Sequence, residues 1–364
     1  MRRLRLMIPG PIELDPKVLA IMSEPLVAHY GEEWTAFYKE TTGLLQKIFQ
    51  TGGDVFLLPG SGSAALDAAL GSTLFPDGKV LIPQNGFFGE RLEEIARSYT
   101  PNVYTIKFPI GQSIDLGAVE KTLQTGHFDV VACVHCETST GVLNPIREIA
   151  GLCRSYKVLF VVDAVSSLAV EPLEMDAWGI DICISASQKG LEAPPGLGAI
   201  AVGERAWDRI NQTKGPGWYL NLRVWKEYAE KWGDWHPHPV TQPVNNIKAL
   251  RVGVEQILKE GLDKRFERHH KIARKLRQGL RKIGFTPYVS DEIASNGVTS
   301  VLGGEVDIDQ LLTYVRKEER ILLAGSLGEL KGKVFRIGHM GPGASEEAVN
   351  SVLSALEKGL NTIR

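Results

Sequence analysis

Between residues 55 and 200, short apolar, β-prone runs alternate with helix-forming stretches, and the runs close on polar residues. That alternation marks a mainly parallel sheet with helices on both faces, because a parallel pair needs a crossover and a helix is the usual one. Such sheets bind ligands in the crevice outside the carboxyl ends of their strands. The residues that close the runs are therefore the candidates for chemistry.

Two runs close on charges. In SASQKGLEAPPGLG (185–198), Lys189 follows a β-prone run and precedes a loop with two prolines and two glycines, which cannot continue a regular element. A strand thus delivers one lysine to a turn at the ligand edge, where desolvation lowers its pKa toward a usable nucleophile whose natural chemistry is a Schiff base. Taken alone, such a lysine reads as a strand-end residue that snorkels to water. Its company argues otherwise. The run 158–162 ends in Asp163, and a carboxylate at the end of a nearly continuous apolar strand needs a cation. A protonated pyridine nitrogen, as in pyridoxal phosphate, supplies one.

Further candidates stand at the same edge. The run 55–59 leads into GSGS, and 64–74 is a strong helix former, so Ser61, Gly62 and Ser63 lie at a helix N-terminus suited to an anion. Neither the Walker pattern nor the dinucleotide fingerprint is present. Phe88, in NGFFGER, sits at a strand-to-helix turn where an aromatic can lie flat on a planar cofactor or simply join the core. After the run 129–134, HCETSTG places hydroxyls at that edge.

Six motifs in order, GSGSAALDAAL, NGFFGER, ETSTGVLNPI, VDAVSSL, SQKGLEAPPG and VFRIGHMG, resemble those of class V pyridoxal-phosphate aminotransferases, most of all the alanine:glyoxylate and serine:pyruvate group. The resemblance runs from about Pro9 to the C-terminal helix. It implies a fold-type-I α/β architecture: a large domain with a mainly parallel sheet flanked by helices, and a smaller C-terminal α+β domain. We place an N-terminal arm at 1–22, the large domain at 23–250 and the small domain at 251–364.

The resemblance also implies roles. Lys189 carries pyridoxal 5'-phosphate and moves the substrate proton, while Asp163 keeps the ring cationic. Ser61, Gly62, Ser63 and Gln188 hold the phosphate, Phe88 and Val165 cover the two ring faces, and Thr138 approaches the phenolic oxygen. Thr241 contacts the neighbouring subunit's phosphate, and a second such contact, usually tyrosine, falls here on His238. Arg336, mid-strand in VFRIG, clamps the substrate carboxylate, with the backbone of Gly10 nearby. The expected activity is transfer of an amino group from alanine or serine to glyoxylate or pyruvate, in a homodimer with shared sites. A desulfurase-type lyase needs a thiol near the small domain, and no cysteine follows Cys183. A catalytically silent homologue is the other alternative, opposed by the joint presence of lysine, aspartate and arginine.

Composition narrows the partners. A net charge of −2 gives no electrostatic reason for nucleic acid or a membrane surface, so small molecules, an amino acid and a 2-oxo acid, are expected. The basic stretch 261–282 has apolar residues at helical spacing and reads as a solvated helix face. Five of the seven tryptophans, between 207 and 235, read as core or subunit interface, or as a wall of the site. Four cysteines in 364 residues make no disulfide framework and fit a reducing cytoplasm. No metal is expected at Cys133-x-x-Cys136, which lacks a second ligand pair. The N-terminal MRRLRLMIPGP has no apolar h-region, and no run of eighteen apolar residues occurs, so a cytoplasmic protein is expected.

Overall fold

The computed structural model describes residues 4–363. Seven strands form the large sheet: β1 (Asp54–Pro59), β2 (Val80–Gln84), β3 (Val103–Lys107), β4 (Val130–Val134), β5 (Leu159–Asp163), β6 (Ile182–Ala186) and β7 (Leu197–Val202), in the spatial order β1-β7-β6-β5-β4-β2-β3. Strands β3, β2, β4, β5 and β6 are mutually parallel, and β7 runs antiparallel to both β6 and β1. The loop expected after Lys189 is present, but at Leu197 the chain turns back as a strand and pairs Gly198 with Ala186.

Alternate residues of these strands enter two different cores. Leu57, Val131, Val162 and Cys183 pack on one face of the sheet. Leu58, Ala132, Val161 and Ile184 pack on the other. A sheet buried on both sides has no polar face, which is why its central strands read as continuous apolar runs. Each fully buried aliphatic side chain contributes about 1.5–3 kcal/mol. The helices that cover the sheet include α1 (Glu32–Phe49), α2 (Gly62–Thr73) and α3 (Phe87–Arg97). Helix α1 stops at Phe49 because Gln50 takes a left-handed conformation (φ 54°), before the glycines at 52 and 53 are reached.

Helix α4 (Val244–Glu260) leads to the basic helix α5 (Leu262–Lys282). The expectation of a solvated face holds for only part of α5. Arg265 and Arg277 are buried, Arg265 against Glu192 at 2.6 Å and Arg277 against Asp291 at 2.6 Å. Arg265 also donates to the carbonyls of Ala169 and Gly190, tying α5 to the segments that follow Asp163 and Lys189.

A second sheet, in the order β8-β9-β11-β10, comprises β8 (Thr286–Pro287), β9 (Val298–Leu302), β10 (Ala324–Gly325) and β11 (Val334–Gly338), all antiparallel. The N-terminal segment joins it to the first sheet. Arg5–Leu6 pairs in parallel with Ile321–Leu322, the Gly338 N–H donates to Met7 O, and the Ile12 N–H donates to Gln188 O. Among the described residues, no helix is long and apolar enough to cross a membrane.

Candidate active site

Strands β1, β2, β4, β5 and β6 end on one side of the large sheet, and a cavity of about 270 Å³ lies there. Ten of the thirteen residues singled out from the sequence line it: Gly10, Ser61, Gly62, Ser63, Phe88, Thr138, Asp163, Val165, Gln188 and Lys189. A larger open groove of about 680 Å³, near Arg5 and Glu347, contains none of them.

Lys189 stands three residues beyond β6. It retains some accessible surface, as a group that meets a ligand must, yet burial lowers its amine pKa to about 8, with the nearby Arg336 guanidinium acting in the same direction. Its Nζ donates to Pro9 O. A Cβ on Gly10 (φ +108°) would lie 2.5 Å from Lys189 Cδ, so the arm passes where only glycine fits. Asp163 closes β5 and accepts the Val165 N–H at 2.9 Å. Burial pushes its pKa up to about 6, and the buried Glu137 carboxylate adds to the rise. No ion pair joins Asp163 to Lys189 among the described residues. The acid is left able to serve a different cation.

The opposite end of the cavity suits an anion. Ser61 is the N-cap of α2 but makes no side-chain capping bond, and the N–H groups of Gly62 and Ser63 have no partner among the described residues. A Cβ on Gly62 would lie 2.9 Å from Val165 Cγ2, so glycine lets the helix start close on the strand ends. Gln188 presents a buried Oε1 without a hydrogen-bond partner. The set fits a planar, phosphate-bearing group with a ring nitrogen: amine, carboxylate, unspent helix N-terminus and an aromatic at Phe88.

Arg336 is buried on β11. Its Nε and Nη2 donate to Gly325 O at 3.0 and 2.9 Å, and its Nη1 donates to Thr138 O at 3.1 Å. Three of its five N–H groups are thereby spent and two remain for a carboxylate. Burial lowers its pKa, opposed by Glu137. The Thr138 hydroxyl donates to Ser166 Oγ at 2.6 Å.

Of the three expected residues that do not line the cavity, Arg336 adjoins it through its bond to Thr138 O, and two lie elsewhere. Thr241 is exposed and apart from its own chain's cavity. His238 is fully buried: its Nε2 accepts from Trp34 Nε1 at 2.9 Å, and its Nδ1 donates to Val240 O at 2.9 Å. With both nitrogens engaged it has nothing left to offer a phosphate, which corrects the role expected for it. His29 and His236 lie beside it in a cluster of metal-ligating type. Because Trp34 takes the one lone pair of the His238 ring, only two of these three histidines have one to give.

Arg91 and Ser166, unmarked in the sequence, also line the cavity, as does Cys136, which drew notice there only as half of a Cys-x-x-Cys pair. Arg91 stands three residues after Phe88 on α3, hence on the same helix face, and its guanidinium lies 5.1 and 5.0 Å from the Phe87 and Phe88 ring centroids. That spacing was the available signal.

The class-V aminotransferase family profile matches residues 22–330. An uncharacterized aminotransferase of Methanocaldococcus jannaschii is 36% identical over 361 residues, covering 98% of this chain and 93% of its own. The (S)-ureidoglycine–glyoxylate transaminase of Bacillus subtilis is 33% identical over 374 residues, with 97% and 89% covered. The crystal structure of an alanine–glyoxylate aminotransferase from Nostoc sp. superposes with a TM-score of 0.95 at 34% identity, covering 99% of this chain and 96% of that one. A profile match over residues 22–330, with relatives at 33–36% identity that cover the chain nearly end to end, makes this protein a member of the class V aminotransferases, which are pyridoxal-phosphate-dependent transaminases.

Proposed function

We propose that this enzyme takes the amino group of a small monocarboxylic donor, alanine or serine, and gives it to glyoxylate or pyruvate. The observation that carries this reading is Arg336, a buried guanidinium with two unspent N–H groups close enough to Lys189 to lower its amine pKa. The glyoxylate named for two of the similar proteins supports the acceptor.

Bound pyridoxal phosphate supplies the covalent handle for the donor nitrogen and an electron sink. The chain's own residues do the rest. Lys189, whose amine is half neutral near pH 8, takes a proton at the donor Cα and returns one. Asp163 keeps a positive charge beside it. Arg336 fixes the donor carboxylate and so orients the Cα–H bond. Ser61, Gly62, Ser63 and Gln188 hold the phosphate, Phe88 and Val165 cover the ring, Thr138 approaches the phenolic oxygen, and the Gly10 backbone adjoins the donor.

A homodimer is supported by the exposed apolar surface at Leu26, Val27, Trp218, Trp232 and Trp235, each about half exposed or more. In that dimer Thr241 of each chain would reach its neighbour's phosphate. Four buried, free cysteines suit a reducing compartment such as the cytoplasm.

A panel of amino donors against glyoxylate and pyruvate, read by loss of the bound cofactor's visible absorbance, tests the assignment. Alanine or serine should turn over fastest. Arg91, a second cation in the cavity, favours one alternative: faster turnover of aspartate or glutamate would make it the holder of a distal carboxylate and sink the monocarboxylate reading. No bleaching by any donor would sink transamination itself.

A further inference from the structure

Glu137 is fully buried, and every hydrogen bond to its carboxylate among the described residues comes from an N–H or O–H donor. Its Oε2 accepts the N–H groups of Phe88 and Gly89, each at 3.1 Å. Its Oε1 accepts the Ser139 N–H at 3.0 Å and the Ser139 hydroxyl. Ser139 Oγ in turn accepts the Phe87 N–H at 3.2 Å. Three consecutive N–H groups at the start of α3 are therefore capped from the end of a different strand. The local N-cap, Gly86, cannot do so, having no side chain. A Cβ there would lie 2.6 Å from Glu137 Cδ, so the acid occupies the space a local cap would need.

The other side of Glu137 bears on the substrate end. The next residue is Thr138, whose carbonyl accepts from Arg336 Nη1 at 3.1 Å and whose hydroxyl donates to Ser166. One carboxylate thus stands between the helix start that carries Phe88 and the peptide on which the Arg336 guanidinium rests. Its four donors leave no place for a donor of its own, so an amide of the same shape would turn one acceptor against an N–H.

Resting on the reading of this cavity as a transaminase site, we propose that Glu137 is a positioning residue that sets Phe88 and Arg336 relative to each other, and so couples the cofactor face to the substrate carboxylate. It touches neither ligand.

The test is Glu137→Gln in the full-length protein. Four quantities are read: the unfolding temperature of the apo-protein, the Kd for pyridoxal phosphate from tryptophan fluorescence, the visible circular dichroism of the bound cofactor, and the split between KM and kcat for alanine. The expected result is a Kd and an alanine KM each raised about tenfold or more, with a changed dichroic band. A lowered unfolding temperature with unchanged Kd, dichroism and KM would show a merely structural acid and overturn the proposal. Should this variant fail to fold, Ser139→Ala keeps the acid but removes the hydroxyl bridging it to Phe87, and the same two patterns decide. A wild-type protein that neither binds the cofactor nor transaminates would instead overturn the reading of the site, and this proposal with it.

Discussion

Asp163 is a carboxylate that the fold alone leaves badly served. Its folded pKa of about 6 lies above the ordinary aspartate value of 3.8, and burial is the main cause. A raised acid pKa means that the folded state disfavours ionisation. The cost is absent below about pH 4, grows between about pH 4 and 6, and is fully present above. Two pKa units correspond to about 3 kcal/mol. Asp163→Asn removes that charge while its Oδ1 can still accept the Val165 N–H. The apo-protein of this variant should therefore be more stable than wild type at pH 8 by up to about 3 kcal/mol, the difference vanishing near pH 4. Its transamination should fall roughly hundredfold or more, because the positive charge beside the aspartate is no longer held. Denaturant unfolding of the two apo-proteins at both pH values checks this; equal stability at pH 8 would mean that Asp163 is already compensated within the chain.

Elements differ in how plainly the sequence announces them, and the reasons are physical. Strands β4, β5 and β6 are legible because burial on both faces keeps them apolar except for Asp163, which closes β5, and Ser185 in β6. Strand β3 is an edge strand with no fully buried residue, so its apolar signal is weak. Strand β7 hides behind Pro194, Pro195 and Gly196, which announce a loop and say nothing of the strand that follows. Arg265 and Arg277 read as solvated because their partners, Glu192 and Asp291, lie on other elements. The site follows the same rule. Lys189, Asp163 and the Ser61 to Ser63 turn are visible because each closes a strand or opens a helix locally. His238 is misread because Trp34, its hydrogen-bond donor, is 204 residues away, and Glu137 escapes notice because it caps a helix 48 residues back. The arm at Gly10 is legible as irregular, though its contact with Lys189 is not. That contact makes a prediction. In Gly10→Ala the new methyl meets Lys189 Cδ, Cε and Nζ, at a φ that disfavours any side chain. Capture of pyridoxal phosphate by the apo-protein should slow about tenfold or more while the overall fold persists. Unchanged capture would place the arm elsewhere in solution.

At the scale of the whole molecule, the unspent feature is the apolar surface at residues 26–30 and 218–235. Of the five tryptophans expected to pack together, Trp207 and Trp225 are core residues, whereas Trp218, Trp232 and Trp235 are about half exposed. Leu26 is 78% exposed, more than an isolated chain gains anything by showing to water. If a second copy covers it, two-fold symmetry gives each copy the same contact. In the adjoining loop at 236–243, Thr241 is exposed and does not line its own chain's cavity. If Thr241 completes the neighbour's phosphate site, each active site draws Lys189 from one chain and Thr241 from the other. Lys189→Ala and Thr241→Arg dimers should each be inactive. Their hybrid contains one site with both wild-type residues and one with neither. Equal mixing with free exchange makes half of the dimers hybrid, each with one working site of two, so activity should recover to about a quarter of wild type. Recovery should follow the rate of subunit exchange, measured independently with differently tagged chains. Two inactive parents that exchange subunits and stay inactive would show that each chain builds its site alone.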